Sequence, residues 1–466
     1  MKKTLKLIVA LALVASMVLS ITSCDFLAGL FDKTQGIDKE NHVIHIGNTA
    51  ATTGAFAGVG VPFNYAQEAY LWYFTEHLGG YTDAEGNKYT FEFHHYDDGF
   101  DGVAGKTYTQ KLVEEDKVFA LVGHFGSNTV GATVDYLEEK GIPMVYGVCG
   151  VSDLYNTEKN ILTVQPIYDT EGQSMVATSF APETAGGLGA TKLGVIATTD
   201  DAGKGMLNGI KIELERLGKT ATIVEVGAAD TDYTAAVGTL KAAGCDVVII
   251  AANQAPFVNI ANAFVTSQYE NVDIITSYVS ANAATMGGLA LTGAISATRT
   301  VYAGAWLVTG SVPSAEKGWQ DFAEYVRIMT LYAQHKGEAL LPATDTASLG
   351  YLGAFYFGTE DWYLAAGGVS AYFLNSYAMA GYVSANVFCE GLARMNGKDL
   401  TWNGYIAAME SAPVNVPMGT SVSYANGQRV GIDALAVNKY TVLDAALGGS
   451  VYRGITDLKT LEDAIK

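Results

Sequence analysis

The sequence predicts an α/β protein of two lobes, each built on its own parallel sheet. Three observations lead there. From His42 onward, β-rich runs alternate with stretches of helical period, the order that gives a parallel sheet covered by helices. After Lys192 the same order begins again, so the pattern is repeated. The chain has 466 residues and 49% apolar content, and the roughly 440 residues after its first segment suffice for two cores.

The elements run as follows. Residues 42–47 (HVIHIG) open with a strand. Residues 64–77 carry apolar side chains at helical spacing and stop at Gly79-Gly80. TFEFHHY (90–96) alternates as a strand, 106–116 is a helix, and 118–123 (VFALVG) a buried strand. A helix over 128–141 ends on glycine, and 142–146 is the next strand. The second series has strands at 192–197, 220–226, 245–251 and 272–276, with helices at 203–217, 234–243 and 256–268. Extended segments at 297–301 and 414–417 can recross between lobes. Residues 368–395 and 400–411 read as helices. Residues 331–367, rich in aromatics and glycine, read as an insertion, a surface loop or a lid. The expected division is 42–166 with 300–416 for the first lobe, and 167–299 with 417–466 for the second.

The first residues carry an export signal. Lys2, Lys3 and Lys6 precede an apolar run over 7–19, too short to span a bilayer as an ordinary helix. Ile21-Thr22-Ser23-Cys24 places small residues directly before a cysteine and resembles the lipobox of bacterial lipoproteins. That resemblance implies diacylation of Cys24, cleavage before it, and anchoring at the outer face of the cytoplasmic membrane, for which two acyl chains suffice. Plain secretion with an incidental cysteine is the alternative. Residues 1–23 are then a signal peptide and 24–41 a tether.

The formal charge is −20, which argues against nucleic acid and against direct adhesion to anionic lipid. Besides Cys24, the cysteines are Cys149, Cys245 and Cys389, each in an apolar context. They read as small buried residues. No CxxC spacing supports a zinc site. In His94-His95-Tyr96-Asp97-Asp98, neighbours on a strand point to opposite faces, so the run cannot converge on one ion. Gly203-Lys204-Gly205 lacks P-loop spacing, and no nucleophile elbow is present. Neither catalysis nor a cofactor nor a metal is expected.

Several ordered motifs then carry a family resemblance. They are Thr53-Gly54-Ala55-Phe56 after the first strand, Tyr96-Asp97-Asp98 at a strand end, and Ala120-Leu121-Val122-Gly123 leading into Ser127. Asp200-Asp201-Ala202-Gly203-Lys204-Gly205 and Asp232-Tyr233 followed by Cys245-Asp246-Val247 complete the set. Together, from about Val43 to Thr441, they resemble the type 1 periplasmic binding proteins of the branched-chain amino-acid receptor group. These are the substrate-capturing subunits of ABC importers. The resemblance implies two Rossmann-like lobes joined by three hinge crossovers, a small-molecule solute in the cleft, and permease subunits as partners. It implies a monomer that is not an enzyme. A sensor signalling through a membrane partner without transport is the alternative.

Candidate ligand contacts follow. Ser127, between a strand end and a helix start, can hold a carboxylate. The family's contacts after the fifth strand fall on Val148, Cys149 and Gly150, with glycine where threonine is typical. Its aromatic wall falls on Ala202, and its second-lobe loop on Asn253 or Gln254. The acid that pairs with an amino-acid ammonium falls on Tyr278, which puts an ordinary α-amino acid in doubt. The solute is therefore expected to be amino-acid-like, a carboxylate or an amide. The family's disulfide positions fall on Phe100 and Gly126. Phe56 and Val59 sit at the rim, and Tyr302 and Trp306 follow the second crossover.

Overall fold

The computed structural model describes residues 34–155, 160–281, 283–308, 317–338, 372, 375–441, 453–454 and 458–460. The signal segment, Cys24 and most of the 331–367 insertion lie outside these residues.

Lobe 1 is built on a six-stranded sheet. Its four long strands are β1 (Val43–Ala50), β2 (Lys88–Asp97), β3 (Ala120–Phe125) and β4 (Met144–Val148), in the order β2-β1-β3-β4 and all parallel. Helices α1 (Ala57–His77), α2 (Gly102–Glu114) and α3 (Ser127–Lys140) connect them. Asp101 caps α2 by accepting from the N–H groups of Val103 and Ala104. Gly141, in the left-handed region, ends α3. β3 is buried along its whole length, as a central parallel strand must be.

The chain then enters lobe 2 with α4 (Tyr168–Phe180), β5 (Leu193–Thr198), α5 (Asp201–Leu217), β6 (Ala221–Val226), α6 (Thr234–Ala243) and β7 (Val247–Ala251). It continues with α7 (Gln254–Thr266), β8 (Asp273–Thr276), α8 (Ala283–Leu291) and β9 (Val301–Ala305). It returns to lobe 1 for α9 (Lys317–His335), α10 (Ser376–Arg394) and α11 (Trp402–Glu410), and ends in lobe 2 with β10 (Ala434–Tyr440). The second sheet runs β6-β5-β7-β8-β9-β10, with β10 antiparallel to β9. A polar cluster ties the late helix α10 to lobe 1. Gln67 on α1 accepts from Asn48 of β1 at 2.8 Å and donates to Ser384 of α10 at 2.7 Å.

The expected lobe boundaries need correction at two places. The second crossing does not come at residue 300, because β9 pairs in parallel with β8 and belongs to the second sheet. The third does not come at 416. Val414 bridges to Val422 within lobe 1, and Val416, Met418 and Tyr424 bury in that lobe's core. Helices α4, α8 and α9 and strand β10 have no counterpart in the expected elements. Residues 331–335, assigned to the insertion, are the last turn of α9.

Candidate functional site

A cavity opens between the lobes at the C-terminal ends of both sheets, where ligands of open α/β sheets sit. Nine aromatic residues line it: Phe56, Phe100, Phe125, Tyr146, Tyr168, Tyr278, Trp306, Tyr377 and Tyr440. Its polar lining is Ser127, Gln165, Asn253, Gln254, Ser376 and Asn438. Among the described residues, its wall contains no Asp, Glu, Lys or Arg.

Four of these lining residues are each the first residue of a helix. Ser127 starts α3, Tyr168 starts α4, Gln254 starts α7 and Ser376 starts α10. First-turn N–H groups have no intrahelical acceptor, and helix N-termini carry partial positive charge. At α10 Asn375 already accepts from the Tyr377 and Ala378 N–H groups, and at α4 Gly150 O accepts from Tyr168 N–H, whereas α3 and α7 have no side-chain cap. The cavity is therefore uncharged in its side chains and electropositive in its backbone. The Ser376 hydroxyl is buried there without a hydrogen-bond partner.

The loops that carry these residues are fixed by carboxylates beneath them. Asp97 accepts from Thr52 N–H at 2.9 Å and from the Thr53 hydroxyl, which holds the Phe56 loop. Asp98 accepts from Thr49 at 2.8 Å and Thr129 at 2.6 Å, which ties β1 to the first turn of α3. Two cavity aromatics, Phe100 at φ 66° and Tyr146 at φ 61°, stand in the left-handed region, at a cost of about 1–2 kcal/mol each. The Phe56 and Phe100 rings stack at 4.4 Å. The Tyr146 hydroxyl donates to Gln165 at 2.8 Å, and the Tyr146 ring meets Trp306 at 6.0 Å edge-on.

The lobes touch across this cavity. Ser127 Oγ lies 3.1 Å from the Tyr168 hydroxyl. The Tyr278 hydroxyl donates to Pro166 O at 2.8 Å, and the Tyr377 hydroxyl of lobe 1 donates to Val279 O of lobe 2. Burial pushes the phenols of Tyr146, Tyr168 and Tyr278 well above their ordinary range, so they act as neutral donors. Asn253 is oriented by Asp200 at 3.2 Å.

Of the residues expected from sequence, Phe56, Val59, Ser127, Val148, Asn253, Gln254 and Tyr278 line the cavity. Four do not. Cys149 is buried behind the wall, where its sulfur accepts from Val151 N–H at 3.4 Å and burial pushes its thiol up to about 11. Gly150 is covered by Tyr168: an added Cβ would stand 2.6 Å from Tyr168 Cδ1. Ala202 packs into the core of lobe 2. Tyr302 shares a strand face with the cavity residue Gly304 but lies two residues farther down β9, about 7 Å from it. Its ring sits under Lys439 at 5.7 Å instead.

Tyr278 occupies the position expected of an acid, yet an acid supports its loop from another helix. Glu171 of α4 accepts from Tyr278 N–H at 2.7 Å and from the Ser277 hydroxyl at 2.9 Å. Burial pushes its carboxyl up to about 7. It stands behind Gly304, outside the cavity lining. Phe125, Tyr146, Gln165, Tyr168, Ser376 and Tyr377 were not anticipated. Tyr168 and Ser376 begin helices, but their meeting with Ser127 is tertiary and leaves no local signal.

Comparison with known proteins places these features. The family description "Periplasmic binding protein" matches residues 43–326. An amino acid binding protein of Pseudomonas aeruginosa is 27% identical over 140 residues, which span 30% of this chain and 36% of that protein's length. Among solved structures, a fatty acid ABC transporter substrate-binding protein from Thermomonospora curvata superposes with TM-score 0.68 at 17% identity, covering 93% of this chain and 96% of the other. A solute binding protein of an ABC transporter from Rhodopseudomonas palustris, in complex with p-hydroxybenzoic acid, gives 0.66 at 17%, covering 90% and 97%. A leucine binding protein from Thermotoga maritima gives 0.62 at 15%, covering 89% and 97%. At these identities the likeness to solved structures is one of fold.

Proposed function

This chain belongs to the periplasmic binding protein family, and from that premise we propose that it captures a small carboxylate with an apolar, preferably aromatic, body and hands it to an ABC permease. The family is one of solute receptors, not enzymes, and its membership implies export. Among the described residues no helix is long and apolar enough to cross a membrane.

The observation that carries the ligand class is the meeting of four helix N-termini in an aromatic cavity with no ionisable Asp, Glu, Lys or Arg on its described wall. An anion is stabilised by uncapped first-turn N–H groups, here those of α3 and α7, with the partial positive charge of the other two helix starts behind them. An ammonium has no anionic partner there and stays costly to bury. The nine aromatic residues suit a ring or a short chain. The p-hydroxybenzoic acid and fatty acid named for two structural relatives fit that description. The solute settles against Ser127 and Tyr146 of lobe 1. Tyr168, Asn253, Gln254 and Tyr278 reach it from the hinge and lobe 2. Closure is favoured because the solute touches both lobes only in that state.

A thermal-shift screen tests this reading. Benzoate and 4-hydroxybenzoate are expected to raise the melting temperature, and their amides and leucine to raise it less. Ser127→Ala is expected to weaken the carboxylate at least about tenfold. Tight binding of leucine, or an unchanged affinity in Ser127→Ala, would overturn it. We propose further that Cys24 carries a lipid that tethers the receptor near its permease. Cys24→Ser should then release the protein from the membrane fraction, and retention of that variant counts against the anchor.

A further inference from the structure

We propose a binding site for one late first-row divalent cation, zinc, nickel or copper, on the outer face of lobe 1, formed by His45, Glu92 and His94. His94 does not converge with its own run but with residues on two strands. His45 of β1 and Glu92 of β2 are direct register partners across parallel strands. His94 lies two residues after Glu92 and shares its face. The result is three ligand groups on one patch of sheet, on the same face of two adjacent strands.

The distances fit an ion. His45 Nδ1 and His94 Nε2 stand 3.2 Å apart. Glu92 Oε2 lies 3.5 Å from His45 Nδ1, and Glu92 Oε1 lies 3.6 Å from His94 Nε2. Ligands about 2.0–2.1 Å from a tetrahedral zinc are separated from one another by about 3.3–3.4 Å, so small side-chain movements suffice. Without a metal, the two facing ring nitrogens can share only one proton between them. Two imidazoles and one carboxylate suit zinc, nickel or copper, whereas calcium and magnesium prefer oxygen.

The surroundings also fit. The histidine side chains are 23% and 20% exposed and Glu92 is 58% exposed, so the patch is partly shielded and solvent can complete the coordination. Asp116 Oδ1 faces the other ring nitrogen of His94 at 3.9 Å, the place of an outer carboxylate that orients a ligating imidazole. Asp116 is itself held by the Tyr96 hydroxyl at 2.8 Å. The nearby cation, Lys111, is drawn over the Tyr96 ring at 4.6 Å. A bound ion would tie β1 to β2.

The test uses the chain purified without a histidine tag and stripped with EDTA. Zinc chloride titrated by calorimetry should bind at one equivalent with Kd below about 10 µM and raise the melting temperature by at least about 2 °C. His45→Ala and His94→Ala should each weaken binding at least about tenfold, and the exposed Glu92→Gln should do so without risk to the fold. His95→Ala is the control, because His95 lies on the opposite face beside Phe93. It should bind as the parent does. No saturable binding, binding that survives in His94→Ala and Glu92→Gln, or an equal loss in His95→Ala would each overturn the site.

Discussion

The ring of Phe100 lies against the α-carbon of Gly126, so closely that an added Cβ on Gly126 would stand 2.7 Å from Phe100 Cε2. Gly126 also has φ 99°, and its N–H donates to Val148 O at 3.1 Å. The contact therefore joins the loop after β2, the start of α3 and the end of β4, three pieces of the cavity wall. These are the positions onto which the family resemblance transfers a disulfide. Here a ring on a bare backbone holds the same two loops together.

Gly126→Ala should be costly for both reasons, strain and collision. The expected loss is at least about 2 kcal/mol of stability and about tenfold in solute affinity. Urea denaturation and calorimetry measure the two. Adding Phe100→Ala removes the collision but not the strain, so the double variant should be more stable than the sum of the single losses predicts. Strict additivity would mean that the ring contact carries no energy.

Gly150 and Tyr168 form a second exchange of parts. Tyr168 N–H donates to Gly150 O at 2.7 Å, and its ring covers the Gly150 α-carbon. Gly150→Thr introduces the residue that the resemblance implies for this position and should collide with that ring, lowering stability by about 1–3 kcal/mol. Tyr168→Ala should recover part of that loss when combined with it. Failure of Tyr168→Ala to recover any stability would show that the ring is not what excludes a side chain at Gly150.

The strand and helix periods were enough to find most of both sheets, because buried parallel strands such as β7 (VVIIA) read as continuous apolar runs. They could not assign β9, since VYAGA is a good strand in either lobe and its partner, Ile274–Thr276, is a tertiary fact. Ser127 was legible as a residue between a strand end and a helix start, whereas Asn253 and Gln254 came from the family resemblance alone. Tyr302 follows the second crossover as Trp306 does, but that position says nothing of depth along the strand, and only Trp306 reaches the cavity. Tyr146 and Gln165 were not legible. The first lies inside a strand, with φ 61°, and the second in a connection between the lobes. Glu171 was hidden for another reason: it supplies an acid to the Tyr278 loop from a helix more than 100 residues earlier.

The Tyr377 hydroxyl, on α10 of lobe 1, donates to Val279 O of lobe 2. Tyr377→Phe removes one bond across the closed cleft and keeps the ring packed against Phe125. Global stability should change by no more than about 1.5 kcal/mol. Solute should leave faster, with a dissociation rate raised about threefold to tenfold. Stopped-flow release of the bound carboxylate reads this directly. An unchanged release rate would mean that the bond does not contribute to the closed state.

Glu171 and His124 give stability opposite dependences on pH. Burial pushes the Glu171 carboxyl from 4.5 up to about 7, against the hydrogen bonds from Tyr278 and Ser277. Between those values the folded chain holds the proton and the unfolded chain does not. The stability that Glu171 contributes is therefore full below about pH 4.5 and is lost as pH rises to about 7. Burial lowers His124 from 6.5 to about 3, so its contribution is full above about pH 6.5 and is lost as pH falls toward 3. Between about pH 4.5 and 6.5 each accounts for one proton of opposite sign, and their slopes cancel. Glu171→Gln removes one side of that balance. The stability of the variant relative to the parent should rise from pH 4.5 to 7 by about 3 kcal/mol in total. Urea denaturation of both proteins at pH 4.5, 5.5, 6.5 and 7.5 gives the difference curve, in which His124 and every other shared group drop out. A flat difference would mean that Glu171 has an ordinary carboxyl in the folded chain, and that the loop of Tyr278 rests on a carboxylate already ionised well below neutral pH.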